Sequence, residues 1–218
     1  MKLPAEIRQR VYGFYINRFT WPKITAATYP NMAKCHCTRF VSPGYYPTRT
    51  FNLSLARTCS KVRDEFLEYF YRETPLYFTC ACELGQRLSN DIMRMTLRKI
   101  RVHWTGPDSD KAFLLLAKCP KLSELDVVVS QTTTNDLTHR ETEMRRYFTS
   151  KRQPRIADAL GLDELLTIRG MEKVKASHLS FKQGTRKTED ERASLEALLT
   201  EKLKAPRTTD DEDNSTST

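Results

Sequence analysis

Ile7, Val11, Phe14 and Tyr15 fall at the three- and four-residue intervals of a helix and form one apolar stripe, with Arg8, Arg10 and Arg18 mostly off it. Pro4 suits the first helical position, where its missing N–H costs nothing, and Glu6 follows in the first turn, where the helix dipole favours a carboxylate. The pattern predicts a helix that fades near Phe19, ahead of Pro22. Residues 20–52 hold Pro22, Pro30, Pro43, Gly44 and Pro47 with no sustained period, which predicts a long irregular insertion. A second helical pattern runs from Ser54 to Arg72, with Leu55, Cys59, Val62, Phe66 and Phe70 as its buried stripe, and Pro75 ends it. Leu76-Tyr77-Phe78 reads as a short extended run, and a modest helix over 83–93 follows.

From there one phrase repeats. Leu97-x-x-Ile100-x-Val102 returns as Leu122-x-x-Leu125-x-Val127 and, more weakly, as Met171-x-x-Val174-x-Ala176, at intervals of 25 and 49 residues. The second interval is close to twice the first. The phrase has the form of a leucine-rich-repeat strand, whose alternating apolar residues point at one core while the intervening helix covers it. Asp110–Lys118, with Ala112, Leu115 and Leu116, supplies one such helix, and residues 156–167 supply another. Strand–helix–strand units favour a parallel sheet with right-handed crossovers. The expectation is an α/β (or α+β) chain whose strands near 99–104, 123–129 and 173–178 lie parallel in a short, degenerate repeat body. Residues 131–155 are polar and basic with a short helix near Glu143–Phe148, and Glu189–Leu203 is a last helix with Leu195, Leu198, Leu199 and Leu203 on one side. The expected organisation is a helical region over 1–80, the α/β body over 81–205, and a disordered acidic tail over 206–218.

Charge changes this picture. The 218 residues carry 36 basic and 27 acidic side chains, a formal +9, and four of the acids (Asp210, Asp211, Glu212, Asp213) sit in the tail, so the body is more basic than the sum suggests. Such a field draws anionic partners. Arg140, Arg145, Arg146, Lys151, Arg152 and Arg155 form the densest basic stretch, with Tyr147 and Phe148 inside it. Aromatic residues among cations suit single-stranded nucleic acid; a solvated helix with the aromatic pair packed inward is the plainer expectation. No apolar run reaches the ~20 residues of a membrane span, and no secretory h-region opens the chain, so an intracellular address, cytoplasm or nucleus, is expected.

Catalytic signatures are absent. With seven glycines the chain holds no G-x-G-x-x-G, no phosphate-binding G-x-x-x-x-G-K-[ST], no H-E-x-x-H and no G-x-S-x-G. Cys35-His36-Cys37 and Cys80-Ala81-Cys82 offer zinc's preferred ligand types, but structural zinc sites space their cysteines C-x₂₋₄-C. Ordinary thiols, with no metal and no cofactor, are expected. Trp104 closes a strand of alternating apolar residues, where it either seals the core or marks a partner pocket.

Leu3-Pro4-Ala5-Glu6-Ile7-Arg8, the later Cys59-Ser60-Lys61-Val62-Arg63-Asp64-Glu65, and Leu165-Leu166-Thr167-Ile168-Arg169-Gly170 together resemble a group of fungal F-box-like proteins. Leu3, Pro4, Glu6, Ile7 and Arg8 match the opening helix motif, and Cys59, Val62 and Glu65 match the second. The resemblance implies that Leu3, Pro4 and Ile7 dock on the small adaptor subunit of a cullin–RING ubiquitin ligase while the repeats select a target. On that basis the chain is expected to be a protein-binding adaptor and not an enzyme, with Trp104 as a further partner contact. Nucleic-acid binding through the basic body is the alternative. If docking holds, Val11, Phe14 and Tyr15 should pack on the second helix while Leu3, Pro4 and Ile7 stay open.

Overall fold

Alternation of apolar residues at 76–78, 100–104, 125–129 and 174–176 builds a parallel sheet whose inward side chains stack in rows. The computed structural model describes residues 3–19, 24–25, 54–147, 155–178 and 186–207. Strands β1 (Ile24–Thr25), β2 (Leu76–Phe78), β3 (Lys99–His103), β4 (Glu124–Val129) and β5 (Lys173–His178) form one sheet in sequential order, every neighbouring pair parallel. The register puts Leu76, Ile100, Leu125 and Val174 in one row and Phe78, Val102, Val127 and Ala176 in the next. These are the equivalent positions of the repeated phrase. The chain is thus α/β, and β2 joins the series 24 residues ahead of β3, a copy the phrase hides because its leading apolar position falls on Glu73 at the end of a helix.

Eight helices lie among the described residues: α1 (Ala5–Phe19), α2 (Ser60–Glu73), α3 (Ala81–Leu88), α4 (Asp91–Thr96), α5 (Ser109–Ala117), α6 (His139–Tyr147), α7 (Leu162–Leu165) and α8 (Arg186–Leu203). Tyr12 and Ile16 of α1, Phe66 and Phe70 of α2, Leu84 of α3, Phe113 and Leu116 of α5, Leu165 of α7 and Leu199 of α8 join the inward strand residues in one cluster. All of that apolar surface therefore lies against one face of the sheet. The core cluster runs unbroken across residue 80, joining residues of α1 and α2 to those of the body. Among the described strands the order is sequential and has no point at which it reverses. No helix among the described residues is long and apolar enough to cross a membrane.

Several boundaries differ from the pattern, each for a local reason. The run from Ser54 splits into a 3₁₀ turn (Ser54–Arg57) and α2, because Cys59 takes an extended backbone (φ −158°) as the N-cap. Cys59 is therefore exposed and leaves the buried stripe to Val62, Phe66 and Phe70. The helix expected over 83–93 breaks at Ser89–Asn90, where the Asn90 side chain accepts the Met93 N–H at 3.0 Å and starts α4. Over 156–167 the chain makes only a 3₁₀ turn (Ile156–Asp158) and the short α7, divided by Gly161 at φ +93°. A Cβ there would sit 2.9 Å from the Phe113 ring and 2.9 Å from the Ser109 carbonyl carbon. Gly161→Ala combines left-handed strain of about 1–3 kcal/mol with a backbone clash, so its urea midpoint should fall well below that of the parent chain; an unchanged midpoint would refute the close approach.

Helix α8 also protects the edge of β5. Glu196 accepts the Ala176 N–H at 3.0 Å, Arg192 donates to the Ala176 carbonyl at 3.0 Å, and the two side chains pair with each other at 3.0 Å. Side chains occupy backbone groups that another strand could otherwise pair with.

Candidate protein interface

Two faces of α1 compete for the core, and a charged pair decides between them. Arg8 donates twice to Glu65 of α2, at 2.7 and 2.9 Å, and the Tyr12 hydroxyl donates to the same carboxylate at 3.3 Å. Bidentate pairs fix orientation as well as distance. The Arg8 hydrogen bonds hold the Glu65 carboxyl below the usual carboxylate range, and Glu65 in turn raises Arg8. On the same side Tyr12 and Ile16 are buried, and the rings of Tyr12 and Tyr15 meet Phe66 edge-on at 5.5 and 5.7 Å.

The other face is left open. Leu3 is 53% exposed, Ile7 40%, Val11 48% and Phe14 78%. Spacing of four and three residues places Ile7, Val11 and Phe14 on one side of the helix, a stripe about 10 Å long at 1.5 Å rise per residue, with Leu3 just ahead of the first turn. Pro4 is exposed beside it. Leu3, Pro4 and Ile7 thus stand clear of the core, as docking requires. Val11 and Phe14 do not pack on α2 as expected; Tyr12 and Ile16 do so with Tyr15. The sequence pattern missed this because the inward residues Arg8 and Tyr12 carry polar ends, and their reason to turn inward is Glu65, 57 residues away. A contiguous apolar stripe on a described surface marks an interaction site more often than a scattered exposed leucine does.

The face of the sheet turned away from the clustered helices is a second surface; its middle rows are part-exposed, whereas Tyr77, His103 and Val128 on the same side are buried. Alternate strand positions place Lys99, Glu124 and Lys173 in one row and Tyr77, Arg101, Asp126 and Lys175 in the next. Glu124 lies 3.3 Å from both Lys99 and Lys173, and Arg101 lies 3.2 Å from Asp126 with its guanidinium over the Tyr77 ring at 5.6 Å. Burial pushes the Glu124 carboxyl up, but the two lysines together bring it below its ordinary value. These residues line a hollow of about 320 Å³. They could have been found from the variable positions of the repeated phrase, since Lys99, Glu124 and Lys173 are one position read three times.

At the carboxyl end of the strands lies a polar knot. His103, 1% exposed, holds the Ser130 hydroxyl at 2.8 Å, and Ser130 meets the Thr132 hydroxyl at 2.8 Å. Burial lowers the His103 pKa to about 4, against a smaller upward effect of its hydrogen bond to the Thr79 backbone. Glu83 accepts from both the N–H and the hydroxyl of Thr79, at 3.2 and 2.8 Å, and burial nonetheless raises its pKa. Ser130 and His103 share a hydrogen bond, but a ring held neutral to about pH 4 is a weak base for activating a hydroxyl.

The remaining expected site residues are distributed as follows. Trp104 is fully buried, edge-on to Phe113 at 5.9 Å, with its indole N–H donating to the Leu160 carbonyl at 2.8 Å. It is therefore core and not partner surface, because its polar tip is already satisfied inside. In the basic stretch, Arg145 pairs with Glu141 at 2.9 Å and Arg146 with Glu143 at 3.3 Å, so α6 sets three arginines against two glutamates. Arg140 and Arg155 are exposed, Tyr147 is 75% exposed and not packed inward, and Phe148, Lys151 and Arg152 lie outside the described residues. So do Cys35, His36 and Cys37, all of the insertion over 20–52 except residues 24–25, and the tail from 208. The Cys80 sulfur accepts the Glu83 N–H at 3.3 Å as the N-cap of α3, and burial pushes the Cys119 thiol up to about 12. Among the described residues no three His, Cys, Asp or Glu side chains gather as metal ligands would. Set against known proteins, the chain matches no family model, no curated protein and no solved structure.

Proposed function

We propose that this chain is an intracellular protein-binding adaptor that docks a partner subunit on the outer stripe of α1. The observation that carries the reading is the division of one helix: its inner face is fixed by the Arg8–Glu65 pair, while Leu3, Ile7, Val11 and Phe14 are open along its length. A rigidly held helix presenting an apolar edge is a familiar mode of recognition between helical proteins. The resemblance to F-box-like proteins gives the partner its chemistry, namely the small adaptor subunit of a cullin–RING ubiquitin ligase. The motif residues divide in the same way: Leu3, Pro4 and Ile7 face out, whereas Arg8 and Glu65 join the two motif helices.

Nucleic-acid binding is the rival reading, and exposed Tyr147 on the same helix as exposed Arg140 is the observation in its favour. Neutralisation of Arg145 and Arg146 by their own helix weakens it. The two readings separate by salt, because phosphate contacts lose affinity steeply as salt rises and apolar docking does not.

Tagged parent chain and an Ile7→Asp, Val11→Asp double variant should be compared for recovery of the ligase adaptor subunit at about 0.3 M salt, well beyond the regime where surface charges act at range. Recovery should be lost in the variant while its thermal midpoint stays close to the parent's, since exposed substitutions usually change stability by under about 0.5 kcal/mol each. Unfolding of the variant would instead make the stripe part of the core. A parent dimer dissolved by the substitutions would assign the stripe to a second copy.

A further inference from the structure

We propose that the face of the sheet turned away from the clustered helices is a docking surface for acidic segments, and that the segment it holds is this chain's own run at 210–213. The inference is independent of the α1 stripe. The face carries four cations, Lys99, Arg101, Lys173 and Lys175, against two carboxylates, Glu124 and Asp126. The carboxylates hold Lys99, Lys173 and Arg101 in place across the strands. Lys175 is exposed and, among the described residues, has no ion pair or hydrogen bond, so it stands at the end of its row. The same residues line a hollow of about 320 Å³.

The exit of the chain supplies the occupant. The carbonyls of Leu203 and Ala205 accept the N–H groups of Met171 and Gly170, at 2.9 and 2.8 Å, just ahead of β5. The Arg207 guanidinium then donates to the carbonyls of Cys119, Pro120 and Arg169, in the loops that lead into β4 and β5. Arg207, the last described residue, therefore sits at the foot of the two strands that carry Glu124, Asp126, Lys173 and Lys175. Asp210, Asp211, Glu212 and Asp213 follow three to six residues later, with no basic residue after Arg207. At about 3.3–3.6 Å per extended residue, the first acid reaches about 10 Å from Arg207 and the last about 20 Å. Lys173 and Lys175 are about 7 Å apart along their strand, so the run spans them. Pairing along the β5 edge is blocked at Ala176 by Arg192 and Glu196.

Tethering makes a weak site effective. A short flexible connection gives a local concentration in the millimolar range, so even a site of about 0.1 mM intrinsic affinity is mostly filled. An acidic segment of another protein must then displace the tail before it can bind.

The test uses the full chain with its tail neutralised by Asp210→Asn, Asp211→Asn, Glu212→Gln and Asp213→Asn. A fluorescein-labelled synthetic peptide copying residues 208–218 is titrated against it by anisotropy at low salt. The neutralised chain should bind the peptide about tenfold more tightly than the parent does. Lys173→Glu with Lys175→Glu in the neutralised background should abolish binding, whereas Arg145→Glu with Arg146→Glu on α6 should not. The proposal is overturned by an absence of binding to the neutralised chain, or by equal binding to the parent, which would mean that the tail does not occupy the face. Equal loss on reversing the α6 charges would also overturn it, by reducing the effect to general attraction toward a basic protein.

Discussion

Trp104→Ala should destabilise the chain by about 3–5 kcal/mol, the range for removing a large buried aromatic side chain. The ring is fully buried, meets Phe113 edge-on, and ties its N–H to the Leu160 carbonyl. Truncation leaves a cavity, orphans that carbonyl and frees the turn at Gly161 that packs against Phe113. Because domains are stable by only about 5–15 kcal/mol, the variant should be partly unfolded or have a much lower urea midpoint. Trp104→Phe should cost less, keeping most of the ring and losing the hydrogen bond. If Trp104→Ala instead left the midpoint unchanged while weakening partner recovery, the residue would be a contact surface after all.

Acid should destabilise the fold through His103. Its folded pKa is about 4, against about 6.5 for an unperturbed histidine, so on acidification the unfolded chain takes up the proton first. The stability associated with the neutral ring is whole above about pH 6.5, declines as pH falls and is gone below about 4. The full difference is about 3 kcal/mol at 1.36 kcal/mol per pKa unit. Glu83 acts with the opposite sign: its raised pKa lets the folded state gain a proton before the unfolded one, returning some stability as pH falls toward the ordinary carboxylate range. The depressed carboxyls of Glu65 and Glu124 lose their contributions at lower pH still. Urea midpoints of the parent chain and His103→Gln should therefore diverge in slope between about pH 6.5 and 4.5, the variant being flatter. Parallel slopes would show that the ring is not held neutral by burial.

The parallel body was legible because its phrase repeats at 25 and then 49 residues, and the inward positions of β3, β4 and β5 fall in register at those spacings. The copy at β2 was not, since Glu73 stands where the phrase wants an apolar residue and belongs to α2. For the interface the outward position of Leu3, Pro4 and Ile7 was expected, yet the way α1 sits was not. Helical spacing puts Ile7, Val11, Phe14 and Tyr15 on one stripe, whereas the buried side holds Tyr12 and Ile16, with Tyr15 partly buried beside them. Only the meeting of Arg8 with Glu65 selects between the two sides, and no local pattern records a contact 57 residues apart. Trp104 shows the converse: an aromatic at a strand end looks like a hot spot until the Leu160 carbonyl is found at its N–H. The charged rows of the open face escape a linear reading because each of Lys99, Glu124 and Lys173 is unremarkable until the strands are laid side by side.

The most direct test of the α1 interface is a calorimetric titration of the purified chain with the purified ligase adaptor subunit, repeated with Ile7→Asp, Val11→Asp. The expected result is saturable one-to-one binding of about micromolar affinity or better, which resists added salt and disappears in the variant while its fold is retained. Absence of binding by a folded parent chain, or equal binding by the variant, would contradict the assignment of the outer stripe of α1 as the docking surface.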